Sequence, residues 1–140
     1  MTEEERNVGL LMPRYEAWAA SRGTSVEFWA EIFADEVQLR SLGAGRPGLE
    51  FARSRHGRDE MAGFLRELNV HSALEMFEVE EYVADGDRVV MIGRMAWRNR
   101  ATGKLLESLK VDLWRFVDGQ AVEFLEMYDT AAAVAAATPA

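Results

Sequence analysis

The sequence predicts an α+β fold in which helices precede an antiparallel meander. Three observations predict it. Apolar residues recur with a helical period through the first half of the chain. From Leu74 onward the period falls to two. Asp85-Gly86, Thr102-Gly103 and Asp118-Gly119 then punctuate the alternating segments as turns.

The elements follow in order. Val8, Leu11, Met12, Tyr15, Trp18 and Ala19 form one helical stripe. Pro13 lacks a backbone donor and is expected to kink or start that helix, and Gly23 ends it. Thr24 or Ser25 caps a second helix, with Glu27 placed for a capping box. Its apolar side carries Val26, Trp29, Ile32 and Phe33, and it stops near Asp35. Val37, Leu39 and Ser41 alternate with Gln38 and Arg40, giving a short strand. A glycine- and arginine-rich loop leads to His56-Gly57. A third helix opens near Arg58, with Asp59 and Glu60 in the first turn where the helix dipole favours them. Strands then cover roughly Glu75 to Val83 and Arg88 to Arg98, followed by a hairpin through Asp118-Gly119. Asp129 or Thr130 caps an alanine-rich tail helix. No repeat or linker divides residues 1–140, so one domain is expected.

Composition limits the functional classes. The net charge of -8 argues against nucleic acid or an anionic membrane as a partner. Without cysteine there is no disulfide, thiolate nucleophile or thiolate metal site. No apolar run approaches the ~20 residues of a membrane span. The acidic start, Met1 to Arg6, lacks the apolar core of a signal peptide, so a cytoplasmic location is expected. His56 and His71 lack metal-ligand spacing, and His71 is expected in an exposed turn. Residues 40 to 58 hold five arginines against Glu50, a local excess read as a solvated loop or subunit contact.

The hairpin carries the functional signal. Asp112 alternates with Trp114 and Phe116, and Glu126 with Val122, Phe124 and Tyr128. A carboxylate on an apolar face is costly because desolvation disfavours its charge. Two readings stand for each acid. Asp112 is paired with Lys110 or Arg94, or it is a pocket acid; Glu126 is a cross-strand partner of Lys110, or it too faces a pocket. A type I turn with Gly119 in a bulge would pair Phe116 with Gln120 and Asp112 with Phe124. That register makes Asp112 and Glu126 diagonal neighbours, and one of them should then have a raised pKa.

Several short motifs, in this order, resemble the SnoaL-like polyketide cyclase and ketosteroid isomerase group of the nuclear-transport-factor-2-like superfamily. They are Phe33-Ala-Asp-Glu-Val37, His56-Gly-Arg-Asp-Glu-Met61, Ala84-Asp-Gly-Asp-Arg-Val-Val90, Phe116-Val-Asp-Gly119 and Leu125-Glu-Met-Tyr-Asp-Thr130. The resemblance implies a cone-shaped, cystatin-like α+β barrel, with three N-terminal helices on a curved, mostly antiparallel sheet. It also implies a pocket between the layers and a homodimer. Tyr15 and Asp112 match the pair that hydrogen-bonds a dienolate oxygen in the isomerases. Their base falls at Ser41, and a serine cannot do that work. Glu126 matches the acidic residue on the last strand of the cyclases and limonene epoxide hydrolases. The arginine and aspartate of the hydrolases fall at Gly93 and Met95, which argues against epoxide opening. The implied catalytic set is Asp112, Glu126 and Tyr15, with no cofactor and no metal. The implied pocket wall is Trp18, Phe33, Ser41, Met91, Met95, Trp97, Trp114, Phe124 and Tyr128, and it is expected to hold a small apolar molecule. A non-catalytic ligand-binding or dimerisation module of the same fold is the alternative.

Overall fold

A computed structural model describes residues 1–140. Helices α1 (Glu3–Ala20), α2 (Val26–Ala30) and α3 (Arg58–His71) precede the meander, and α4 (Thr130–Ala137) follows it. The strands are β1 (Phe33–Ser41), β2 (Arg55–His56), β3 (Ser72–Asp85), β4 (Arg88–Asn99), β5 (Leu105–Val117) and β6 (Gln120–Tyr128). They form one sheet in the order β2-β1-β6-β5-β4-β3. Only the β1–β6 pair is parallel. No helix is long and apolar enough to cross a membrane.

α1 continues through Pro13 without ending. The lost hydrogen bond is outweighed by a stripe of Leu11, Tyr15 and Trp18 that is buried against the sheet. Tyr15 stacks on Phe77 of β3, with ring centroids 5.6 Å apart. Met12, expected on that stripe, is exposed, and Arg14 is buried in its place. The Arg14 guanidinium lies over the Phe28 ring and donates to the Leu10 and Phe28 carbonyls and to Glu31. α2 is shorter than expected, because the chain turns at Glu31 and Ile32 and Phe33 begins β1. The capping box does not form: Ser25 makes no capping bond, and Glu27 pairs with Arg66 of α3.

The hairpin β5–β6 corrects the expected register. Asp118 and Gly119 both have positive φ, and Val117 pairs with Gln120 across a two-residue turn. This is the mirror-image turn favoured between twisted strands. Taken alone it would oppose Asp112 to Leu125. A bulge at Val122 adds one residue to β6 and realigns the rest, so Trp114 faces Phe124 and Asp112 faces Glu126 directly. Burying all the large aromatic residues on one face selects this solution.

His71 is also corrected. It ends α3 half-buried, packed at a tilt against the Phe51 ring and hydrogen-bonded to Ser72 and the Gly48 carbonyl, rather than lying in an exposed turn.

Candidate functional site

The inner face of the hairpin holds an ion cluster. Lys110, Asp112 and Glu126 are 5%, 2% and 5% exposed, respectively. Lys110 and Asp112 are two apart on β5, so they point to the same face. The Lys110 ammonium lies 2.9 Å from Asp112 Oδ1 and donates a hydrogen bond to Glu126 Oε1. One cation between two carboxylates leaves the cluster at net -1 when all three are charged.

Tyr15 joins from α1. Its hydroxyl donates to Asp112 Oδ2 at 2.5 Å and accepts from the Trp114 indole N–H at 2.9 Å. The only hydroxyl proton of Tyr15 is therefore committed to Asp112. The sequence reading had this proton available to a ligand oxygen; the structure gives Tyr15 the role of holding Asp112.

Burial sets the electrostatics. It pushes the Asp112 carboxyl up, against the opposing pull of Lys110 and Tyr15. It pushes the Tyr15 hydroxyl well up, and the neighbouring Asp112 charge adds to the effect. Desolvation alone would lower Lys110, but the two carboxylates together outweigh it and hold the ammonium protonated well beyond its ordinary range. Lys110 is thus a permanent cation at physiological pH and no amine nucleophile.

The cluster faces a cavity of about 90 Å³ lined by 24 residues, 19 of them hydrophobic. Of the expected wall, Trp18, Phe33, Met95, Trp97, Trp114, Phe124 and Tyr128 line it beside Tyr15, Asp112 and Glu126. Ser41 and Met91 do not. Ser41 neighbours Glu126 across the parallel pair, but its hydroxyl turns back to accept the Gly43 N–H at 3.1 Å. Met91 pairs with Asp112 and is wholly enclosed in the core. Burial raises the Tyr128 pKa, and the Glu126 charge adds to it. A nearby Ser41 hydroxyl opposes this weakly, without hydrogen-bond geometry, and the buried Tyr128 hydroxyl has no partner.

A profile for a SnoaL-like domain matches residues 14–124, most of the chain. The chain belongs to the SnoaL-like domain family. No curated protein matches it. Several solved structures share the fold of this SnoaL-like domain. A nuclear-transport-factor-2-like protein of unknown function from Burkholderia pseudomallei is 24% identical, with 99% of each chain covered and a TM-score of 0.81. A candidate SnoaL-like polyketide cyclase from Jannaschia sp. is 18% identical, covers 100% of this chain and 97% of its own, and gives 0.83. A protein of ketosteroid isomerase-like fold from Catenulispora acidiphila, in complex with trimethylamine, is 14% identical over 89% of this chain and 92% of its own, with 0.71.

Gly93 in this SnoaL-like domain explains why an arginine cannot stand there. A Cβ at that position would come within 2.3 Å of the Glu78 carbonyl oxygen. Lys110 and Trp29 are among the wall residues that the sequence reading did not place there. Lys110 was read as a partner of Asp112 and of Glu126, and the structure shows both pairings, with the lysine itself buried in the wall. Trp29 was assigned to helix packing. It stacks on Trp114 at 5.4 Å, meets Tyr15 edge-on at 4.9 Å, and keeps a buried indole N–H without an acceptor.

Proposed function

We propose that this SnoaL-like domain binds a small apolar carbonyl compound and acts on it by cofactor-free acid–base chemistry, as an isomerase, cyclase or dehydratase. The observation carrying this reading is the Lys110–Asp112–Glu126 cluster in the wall of an otherwise apolar cavity. The ammonium has three N–H donors and two carboxylate partners. Its third donor is free to stabilise the oxygen of a developing enolate. Glu126 accepts the proton leaving the adjacent carbon, while Asp112, held by Tyr15, keeps Lys110 in place.

α-Proton exchange of 2-tetralone in D₂O tests the reading by proton NMR. The wild type should accelerate exchange, and Glu126→Gln should slow it by about 10²-fold or more. Exchange no faster than in buffer, or unchanged in Glu126→Gln, would sink the reading.

The alternative is a non-catalytic binding or dimerisation module. The cluster's internal pairing favours it, because every charged group already has a partner of opposite sign. The outer sheet face favours a homodimer in either case. Val111, Leu113, Leu125 and Met127 are adjacent there by register, with exposed Leu109 at the edge. Sedimentation velocity of wild type and Leu113→Lys should show a dimer that the substitution dissociates; a wild-type monomer removes this proposal.

A further inference from the structure

The cavity has a second polar end, remote from the ion cluster. Ser72 and Asn99 face each other across the β3–β4 pair, and both are buried in the cavity wall. Asn99 lies six residues beyond Gly93, the register partner of Lys110. That is about 20 Å of strand path at ~3.3 Å per residue.

The proton positions at this end follow from its contacts. Asn99 Oδ1 accepts from the Ala101 and Thr102 N–H groups at 2.9 and 3.0 Å, which fixes Nδ2 on the other side of the amide. His71 Nε2 lies 3.2 Å from the Gly48 carbonyl oxygen. A carbonyl only accepts, so Nε2 carries the ring proton and Nδ1 is left with a lone pair. Nδ1 then accepts from the Ser72 hydroxyl at 2.8 Å. Asn99 Nδ2 makes one polar side-chain contact, to His71 Nε2 at 3.5 Å. Two donors facing one another do not bond, so a buried Asn99 N–H is unpaired, and the Ser72 oxygen keeps its accepting capacity. A buried unpaired donor is costly.

We propose that Ser72 and Asn99 are an uncharged recognition point that binds a neutral hydroxyl or carbonyl oxygen on an otherwise apolar ligand. This rests on the reading that the cavity holds such a ligand. A hydroxyl fits both halves: it accepts from Asn99 Nδ2 and donates to Ser72 Oγ. A carboxylate does not fit, because Lys110 at the other end is the only cation lining the cavity, and none is here to offset its desolvation.

The test compares 2-naphthol with 2-methylnaphthalene, which have nearly the same shape. Calorimetry on the wild type should show about tenfold tighter binding of the naphthol. In ¹⁵N spectra the Asn99 side-chain amide signals should move with the naphthol and not with the methyl compound. Ser72→Ala should remove most of the preference, and the wild-type amide signals carry the test if that variant fails to fold. Equal affinities, silent Asn99 signals, or a preference that survives Ser72→Ala but disappears in Glu126→Gln would overturn the proposal. Binding of neither compound would overturn it together with the reading of the cavity. A naphthol preference without 2-tetralone exchange would leave this proposal standing and remove only the catalytic one.

Discussion

Two three-residue ion clusters in this protein have opposite composition and opposite surroundings. Lys110, Asp112 and Glu126 set one cation between two carboxylates inside the barrel. Arg53, Glu67 and Arg55 set one carboxylate between two cations at the α3–β2 edge. Arg55 is buried there, but the Glu67 side chain is 42% exposed and Arg53 more so. Their carboxyls shift in opposite directions. Hydrogen bonding to Arg55 lowers the Glu67 pKa, whereas burial raises that of Asp112 despite a neighbouring cation. The edge cluster fixes a loop to a helix. The interior one holds charge where solvent cannot relieve it, the usual condition of a site that handles protons.

The largest expected effect comes from removing the central charge of each cluster. Lys110→Met leaves two carboxylates facing each other in a dry wall and should cost about 3–5 kcal/mol in urea unfolding. Glu67→Gln leaves Arg55 with its Phe51 and Arg53 carbonyl partners, and solvent screens the remainder. About 1 kcal/mol or less is expected there. Equal losses in the two variants would erase the distinction between the clusters.

The smallest effect is the most diagnostic one, the sign of the pH dependence. Glu67 is lowered in the folded state, so its contribution is present above the unfolded value and lost as pH falls through the folded one. Asp112 is raised, so the folded state binds its proton more tightly. Stability therefore declines as pH climbs from the ordinary aspartate value of 3.8 through the raised one. Asp112→Asn should flatten that decline and Glu67→Gln the opposing rise, in urea midpoints measured across the acid range. Parallel changes in both variants would contradict the assignment.

Much of this was legible in the sequence. Periodicity and turn residues placed the main elements and their order, because helix stripes and strand alternation are local signals. Boundaries failed where tertiary packing decided. α2 gave up Phe33 to a strand pairing with β6 that no local pattern announces. Asp112, Glu126 and Tyr15 were legible as candidates from alternation and family resemblance. Lys110 was legible as a partner of the two acids, but its burial was not, since lysines are seldom buried. The resemblance brought Tyr15 and Asp112 to one site, but the hydrogen bond between them joins residues 97 positions apart and had no local signal. Ser72 and Asn99 were invisible for the same reason: each is an ordinary polar residue until the β3–β4 register sets them together.

The bulge at Val122 acts as a frame-shift in the sheet. Were Val122 drawn into the ladder, the turn and the strands would stay in place, but Leu125 would slide opposite Asp112 and Glu126 would turn out toward solvent. The barrel would keep an apolar wall and lose its charge balance through a slip of one residue. Deleting Val122 has the opposite outcome, because it closes the bulge and leaves Asp112 opposite Glu126.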